Sequence, residues 1–215
     1  MSSPPTREEI FLVARKVVEA LNKLRLPCCL FGSTACTLNG TSRTPNDVDM
    51  IVMTESYDQE TLKRLIASYD RSFYLLPSRK VGETYKILYR RLAGFRRSCK
   101  VDVLIPGTLN IPLIPPHRIE IIDNFPVLPL FPLLLLKLQG WSDHRASSRS
   151  DMQEKQYVDV RDLAQLLAIA VNKGAHLENA RWLPDSFIQA AIDRVQRYVE
   201  CYRQPDDWRR IGFDV

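Results

Sequence analysis

The chain has 215 residues, 45% of them hydrophobic and 26% charged, with a formal charge of +5. Such a composition excludes a disordered or fibrous chain and suits one compact domain, or two small ones sharing a core. The mild positive excess is compatible with phosphate-bearing partners but does not by itself specify nucleic acid. The five cysteines, Cys28, Cys29, Cys36, Cys99 and Cys201, form no Cys-x-x-Cys pair and no zinc spacing with His117, His144 and His176. An odd count without a framework reads as reduced thiols, and the charged segment after Met1 is no secretory signal, so the expected location is cytoplasmic. The most apolar stretch, residues 125–138, is broken by Pro126, Pro129 and Pro132 and is too short to span a bilayer, so no membrane partner is expected.

In chain order, Thr6-Arg7-Glu8-Glu9 is a capping box, and Ile10, Val13, Ala14, Val17, Val18 and Leu21 behind it recur at helical spacing. They predict a helix to about Leu24. Pro27 then introduces a strand over Cys28 to Phe31, Gly32-Ser33 makes a turn, and Thr34 to Leu38 form a short helix stopped by Asn39-Gly40. A strand over Asp47 to Met53 follows, then a helix over Gln59 to Tyr69. Strands are expected at Phe73 to Leu76, at Tyr85 to Leu92 with Tyr85, Ile87 and Tyr89 as its apolar face, and at Val101 to Ile105. Ile119 to Ile122 is a candidate edge strand. The proline-rich passage from Pro106 to Pro116 marks a seam, and the later helices are placed at Leu133 to Trp141, Tyr157 to Lys173 and Pro184 to Tyr202, with Ser142 to Gln153 as a polar loop. The fold class is a mixed α/β sheet domain, residues 1–118, followed by a C-terminal helical bundle, residues 119–215.

Asp47-Val48-Asp49 carries the chemistry. Two carboxylates one residue apart on a strand share a face, and the apolar residues Met50 to Met53 make that strand a buried one. Held so close, like charges oppose each other's ionisation unless a cation neutralises them. Hard divalent cations prefer oxygen ligands, and Mg²⁺ combines carboxylates with substrate phosphates. Asp102, alone in the β-branched run Lys100 to Ile105, needs a partner of its own and would complete a three-carboxylate cluster if its strand lay beside the first.

Phe31-Gly32-Ser33, then Asp47-Val48-Asp49, then Asp102 resembles the nucleotidyltransferase superfamily of polymerase-β-like fold. The approach Thr41-Ser42-Arg43-Thr44-Pro45-Asn46 is similar to that of the small toxin-, antibiotic- and abortive-infection-type members. The resemblance implies a mixed-sheet domain with a helical partner and transfer of a nucleoside monophosphate from a nucleoside triphosphate to an acceptor, releasing pyrophosphate. It further implies that Asp47, Asp49 and Asp102 are catalytic and bind Mg²⁺ or Mn²⁺, and that Gly32, Ser33, Arg43 and Lys137 bind the nucleotide. ATP, GTP, CTP and UTP are all candidate nucleotides, and the acceptor is a small molecule, a protein or an RNA. The rival is a non-catalytic nucleotide- or RNA-binding module that keeps the fold.

Lys137 interrupts the run Leu133 to Leu138, where a cation needs an anionic partner; the bland alternative is a lysine whose charge reaches solvent. Downstream, Lys155, Asp159 and Asp162 resemble a family segment but also suit an ordinary helix start. The basic group Arg90, Arg91, Arg96, Arg97 and Lys100 reads first as a solvated hairpin tip, and otherwise as a grip on a polyphosphate or nucleic-acid acceptor.

Overall fold

The computed structural model describes residues 3–80 and 82–215. The chain divides into two compact units, one formed by the chain as far as Leu38 with Ser42–Leu128, the other by Asn39–Thr41 with Pro129–Val215.

The first unit is a mixed sheet of seven strands: β1 (Cys28–Phe31), β2 (Asp47–Val52), β3 (Phe73–Pro77), β4 (Lys86–Arg91), β5 (Ser98–Leu104), β6 (Glu120–Ile122) and β7 (Phe125–Val127). Their spatial order is β3-β4-β5-β2-β1-β7-β6. Helix α1 (Arg7–Lys23) begins at Thr6 with both hydrogen bonds of the capping box in place, and α3 (Gln59–Tyr69) begins at Asp58, whose carboxylate accepts from the Thr61 amide. These two helices lie on one face of the sheet. There they cover Val48, Met50 and Val52 of β2, Cys99, Val101 and Val103 of β5, and Leu88 of β4, all at 1% exposure or less. The strict alternation of buried and half-buried residues along β5 leaves Lys100 and Asp102 on the opposite face. On β4 the buried residue is Leu88, with Ile87 and Tyr89 only half-buried, so the core face is the reverse of the expected one. Pairing decides this: Leu88 stands opposite Val101 of the buried face, and Tyr89 opposite Lys100.

The sheet continues past residue 118. β6 and β7 form a hairpin through Asp123 and Asn124, both with positive φ, and β7 runs parallel to β1. The candidate edge strand is therefore β6, which lies at the sheet edge, and the chain divides after Leu128 instead of in the proline-rich passage. That passage holds two short 3₁₀ turns within the first unit. Part of the basic group is structural: Arg97 binds both carboxylate oxygens of Glu9, at 2.7 and 2.6 Å, and accepts no role as a free cation. Arg90 lies 3.8 Å from Asp70.

The second unit contains α4 (Leu130–Ala146), α5 (Ser150–Asn172), α6 (Asp185–Tyr202) and the short α7 (Asp206–Arg210). Pro132 falls in the first turn of α4, where its missing N–H breaks no bond. Residues 142–153, expected as a loop, are helical except for 147–149. The exposed face of an amphipathic helix is as polar as a loop, so composition misled there. Gly174, with φ +65°, follows the end of α5 as anticipated. Trp141, Tyr198, Trp208 and Phe213 form a chain of edge-on ring contacts, with centroids 5.0, 5.9 and 5.6 Å apart, which docks α7. Among the described residues no helix is long and apolar enough to cross a membrane.

Lys137 finds its anions inside this unit. Its Nζ lies 3.0 Å from Asp159 Oδ1 and 2.9 Å from Asp162 Oδ2, joining α4 to α5, and His144 Nδ1 is 2.5 Å from Asp159 Oδ2. The side chains of Asp159 and Asp162 are 7% and 2% exposed, so neither carboxylate has water to replace the lysine. Removing one partner of a buried ion pair costs about 3–5 kcal/mol. Lys137→Met is expected to lower the urea midpoint by a loss of that order at unchanged m. Lys137→Met combined with Asp159→Asn and Asp162→Asn should recover most of it. A single variant as stable as the parent would show that the two aspartates are held by something else.

Candidate metal centre

The candidate site is built on β2 and β5, which run parallel and in register: Asp47 stands opposite Lys100, and Asp49 opposite Asp102. Partners in register share a sheet face, so three carboxylates and one ammonium occupy a two-by-two patch on the face away from α1 and α3. Each of Asp47, Asp49 and Asp102 can present an oxygen within 4.8 Å of the other two, and all three residues are half-buried. The donor set is purely carboxylate oxygen, without thiolate or imidazole, and this suits Mg²⁺ or Mn²⁺ better than zinc or copper. By number, spacing and chemistry the residues fit a hard divalent cation.

Lys100 forms an ion pair with Asp102. Burial opposes its charge, but Asp102, as charge and hydrogen-bond acceptor, together with Asp47 and Asp49, outweighs burial and raises its pKa above the ordinary lysine value. Sequence reasoning placed Lys100 with the hairpin tip and missed this role. The signal was available: Lys100 and Asp102 are two residues apart on one strand and must share a face. Cys99, on the other face and fully buried, has its thiol pushed up to about 12, first by burial and then by the charge of Asp47. It is no nucleophile.

The turn beside the acids is held from several sides. β1 pairs antiparallel with β2, so that Phe31 faces Asp49, and Gly32 then opens α2 (Gly32–Asn39). Gly32 has φ +58°, and a Cβ there would lie 2.7 Å from Asp49 Cγ. The glycine is thus required by the carboxylate itself, a reason not visible before the strands were placed. Ser33, the second residue of α2, is buried. Thr34 Oγ1 donates to the Asp47 carbonyl at 2.9 Å, and Thr37 Oγ1 lies 3.0 Å from the Ser33 carbonyl and 2.9 Å from the Arg43 carbonyl. These hydroxyls fix α2 and the approach segment to the strand carrying the acids. Arg43 is half-buried in that segment, and Lys137 lies on α4 of the second unit, bound to Asp159 and Asp162.

No family model and no curated protein matches the sequence. Solved structures share its fold. An antigenic nucleotidyltransferase-like protein from Paracoccidioides brasiliensis aligns with TM-score 0.67 at 16% identity, over 99% of this chain and 96% of its own. ANT(2")-Ia in complex with adenylyl-2"-tobramycin aligns with TM-score 0.43 at 14% identity, over 75% and 94%. Terminal uridylyl transferase 4 from Trypanosoma brucei with bound GTP gives TM-score 0.35 at 16% identity, over 85% and 53%. The first of these carries the comparison: the chain has a nucleotidyltransferase-like fold, as the sequence resemblance implied.

Gly32→Ala tests the turn. Left-handed backbone at a non-glycine residue costs about 1–2 kcal/mol, and the new methyl must also displace Asp49. Gly107, with φ +87° and nothing within 4 Å of an added Cβ, is the matched control. Both alanine variants are expected to lose stability of that order in urea melts. Only Gly32→Ala should also weaken Mn²⁺ binding measured by calorimetry.

Proposed function

We propose that this protein is a metal-dependent nucleotidyltransferase that moves a nucleoside monophosphate from a nucleoside triphosphate to an acceptor hydroxyl, releasing pyrophosphate. The observation that carries the reading is the register of β2 and β5, which gathers Asp47, Asp49 and Asp102 into one oxygen-donor cluster beside the Gly32–Ser33 turn. A divalent cation held by these carboxylates would supply Lewis acidity and charge neutralisation toward the phosphates.

The chain's own groups divide the remaining work. The acceptor oxygen bonds to the α-phosphorus while the bond from that phosphorus to the α–β bridging oxygen breaks. Asp102 receives the hydroxyl proton, as its place on the strand next to the other two acids suits. The N-terminal turn of α2 and the Ser33 hydroxyl bind the β- and γ-phosphates, a use for which a helix N-terminus is electrostatically suited. Arg43, tethered through its carbonyl to Thr37, lies in the segment that leads to Asp47 and is assigned to the nucleotide. A phosphate role for Lys137 rests on the sequence resemblance alone. The free thiols, including the exposed Cys201, favour a reducing compartment such as the cytoplasm.

Two variants separate binding from chemistry. Asp47→Asn with Asp49→Asn is expected to abolish Mn²⁺ binding in calorimetry while the circular dichroism spectrum is retained; unchanged metal affinity would remove the assignment. Asp102→Asn should leave nucleotide affinity within a few-fold. It should also cut transfer of label from an α-labelled nucleoside triphosphate by about 10²-fold or more. A wild-type protein that binds nucleotide and labels nothing in cell extract would favour a non-catalytic module instead.

A further inference from the structure

The face that carries the acids extends across the outer strands of the sheet. Tyr74 of β3 pairs with Tyr89 of β4, Tyr89 with Lys100 of β5, and Lys100 with Asp47 of β2. Because paired residues share a face, these four side chains form one row across four strands, about 14 Å long at the usual strand spacing. The two tyrosine rings lie nearly parallel, with centroids 5.8 Å apart and planes at 24°. The guanidinium of Arg91, on the same face of β4, sits 4.6 Å above the Tyr74 ring. At the tip of the β4–β5 hairpin Phe95 is 81% exposed, with Arg96 4.9 Å from its ring centre. Two half-buried tyrosines, Tyr74 with Arg91 over its ring and Tyr89 opposite Lys100, thus lead toward the three carboxylates, with the exposed Phe95 and Arg96 at the hairpin tip.

We propose that this face is the acceptor platform of the transferase and that its ligand is a single-stranded nucleic acid; the inference rests on the transferase reading given above. Unpaired bases stack on aromatic rings whatever their sequence, and interleaved cations follow the backbone between them. Tyr89 and Tyr74 receive the terminal bases, and Arg91 and Arg96 meet the phosphates behind them. A small planar acceptor would need a single ring beside the acids, whereas the row extends over two further strands and gathers charge as it goes. A peptide acceptor would gain little from two parallel rings. The strand's terminal sugar hydroxyl lies toward Asp102. Its oxygen forms the new bond to the α-phosphorus of the nucleoside triphosphate, pyrophosphate departs with the electrons of the broken bond, and the proton passes to Asp102 and then to water. The strand grows by one nucleotide.

The test uses the full chain and a fluorescent 12-nucleotide strand, as RNA and as DNA of the same sequence, followed by anisotropy at low salt without nucleotide or metal. Binding of either single strand at least about 10-fold more tightly than the matching duplex is expected, and the stronger of the two identifies the sugar. Tyr74→Ala with Tyr89→Ala should weaken strand binding about 10-fold or more, with Mn²⁺ affinity unchanged. Arg91→Glu with Arg96→Glu, both exposed and with Arg91 also releasing its bond to the Arg71 carbonyl, should weaken it and flatten its salt dependence. Equal affinity for single strand and duplex, or strand binding untouched in both double variants, overturns the platform. If the strand fails to bind while Asp47→Asn with Asp49→Asn still abolishes Mn²⁺ binding, the platform alone is wrong. If the strand binds but that acid variant keeps full Mn²⁺ affinity, the transferase reading has failed and the acceptor role with it.

Discussion

Mutual repulsion among Asp47, Asp49 and Asp102 is the constraint around which the first unit is organised. Three carboxylates with oxygens inside 4.8 Å of one another on a half-buried sheet face oppose each other's charge unless positive charge lies close by. Lys100 supplies one such charge through Asp102. The clustered carboxylate oxygens, and the potential they create, make the patch a candidate place for a divalent cation. The surrounding structure serves to keep the acids where that potential is concentrated: parallel strands in register, a glycine that yields its side-chain volume to Asp49, and two threonine hydroxyls that lock α2 and the approach segment onto β2.

The second unit solves a similar problem differently. Asp159 and Asp162 face Lys137, with His144 alongside Asp159. Burial separates the two cases. The side chains of Lys100 and Asp102 are 37% and 36% exposed, so water and ions can exchange at the first cluster. Those of Asp159 and Asp162 are nearly sealed, with no room for exchange. The open cluster is suited to bind something, and the closed one holds α4 against α5. Lysine within a leucine run is therefore explained by its own unit's carboxylates before any ligand is invoked.

The surface beyond the acids changes character strand by strand. Next to Asp47 comes a cation, then a pair of tyrosines, with arginines beyond them. Buried residues alternate with these on β4 and β5, because Leu88, Cys99, Val101 and Val103 form the floor over which α1 and α3 pack. The chemistry of the open face is thus separate from the core: along β5 each of Lys100 and Asp102 sits between two buried residues that carry the hydrophobic stabilisation.

Local pattern determined much of this protein. The capping box at Thr6, the helix over Gln59–Tyr69, the strand of Asp47 and Asp49, and the stop at Gly174 all depend on residues within a few positions of one another, and they are legible in the sequence. The shared face of Asp47 and Asp49 is legible for the same reason. Tertiary structure alone decided what depends on pairing between distant segments. The register that sets Asp49 opposite Asp102, the choice of Leu88 as the core residue of β4, and the parallel docking of β7 on β1 belong to this group. So do the requirement for Gly32 and the capture of Lys137 by Asp159 and Asp162. A strand's periodicity says that its two faces differ; only its neighbour determines which of them is buried and which charges meet.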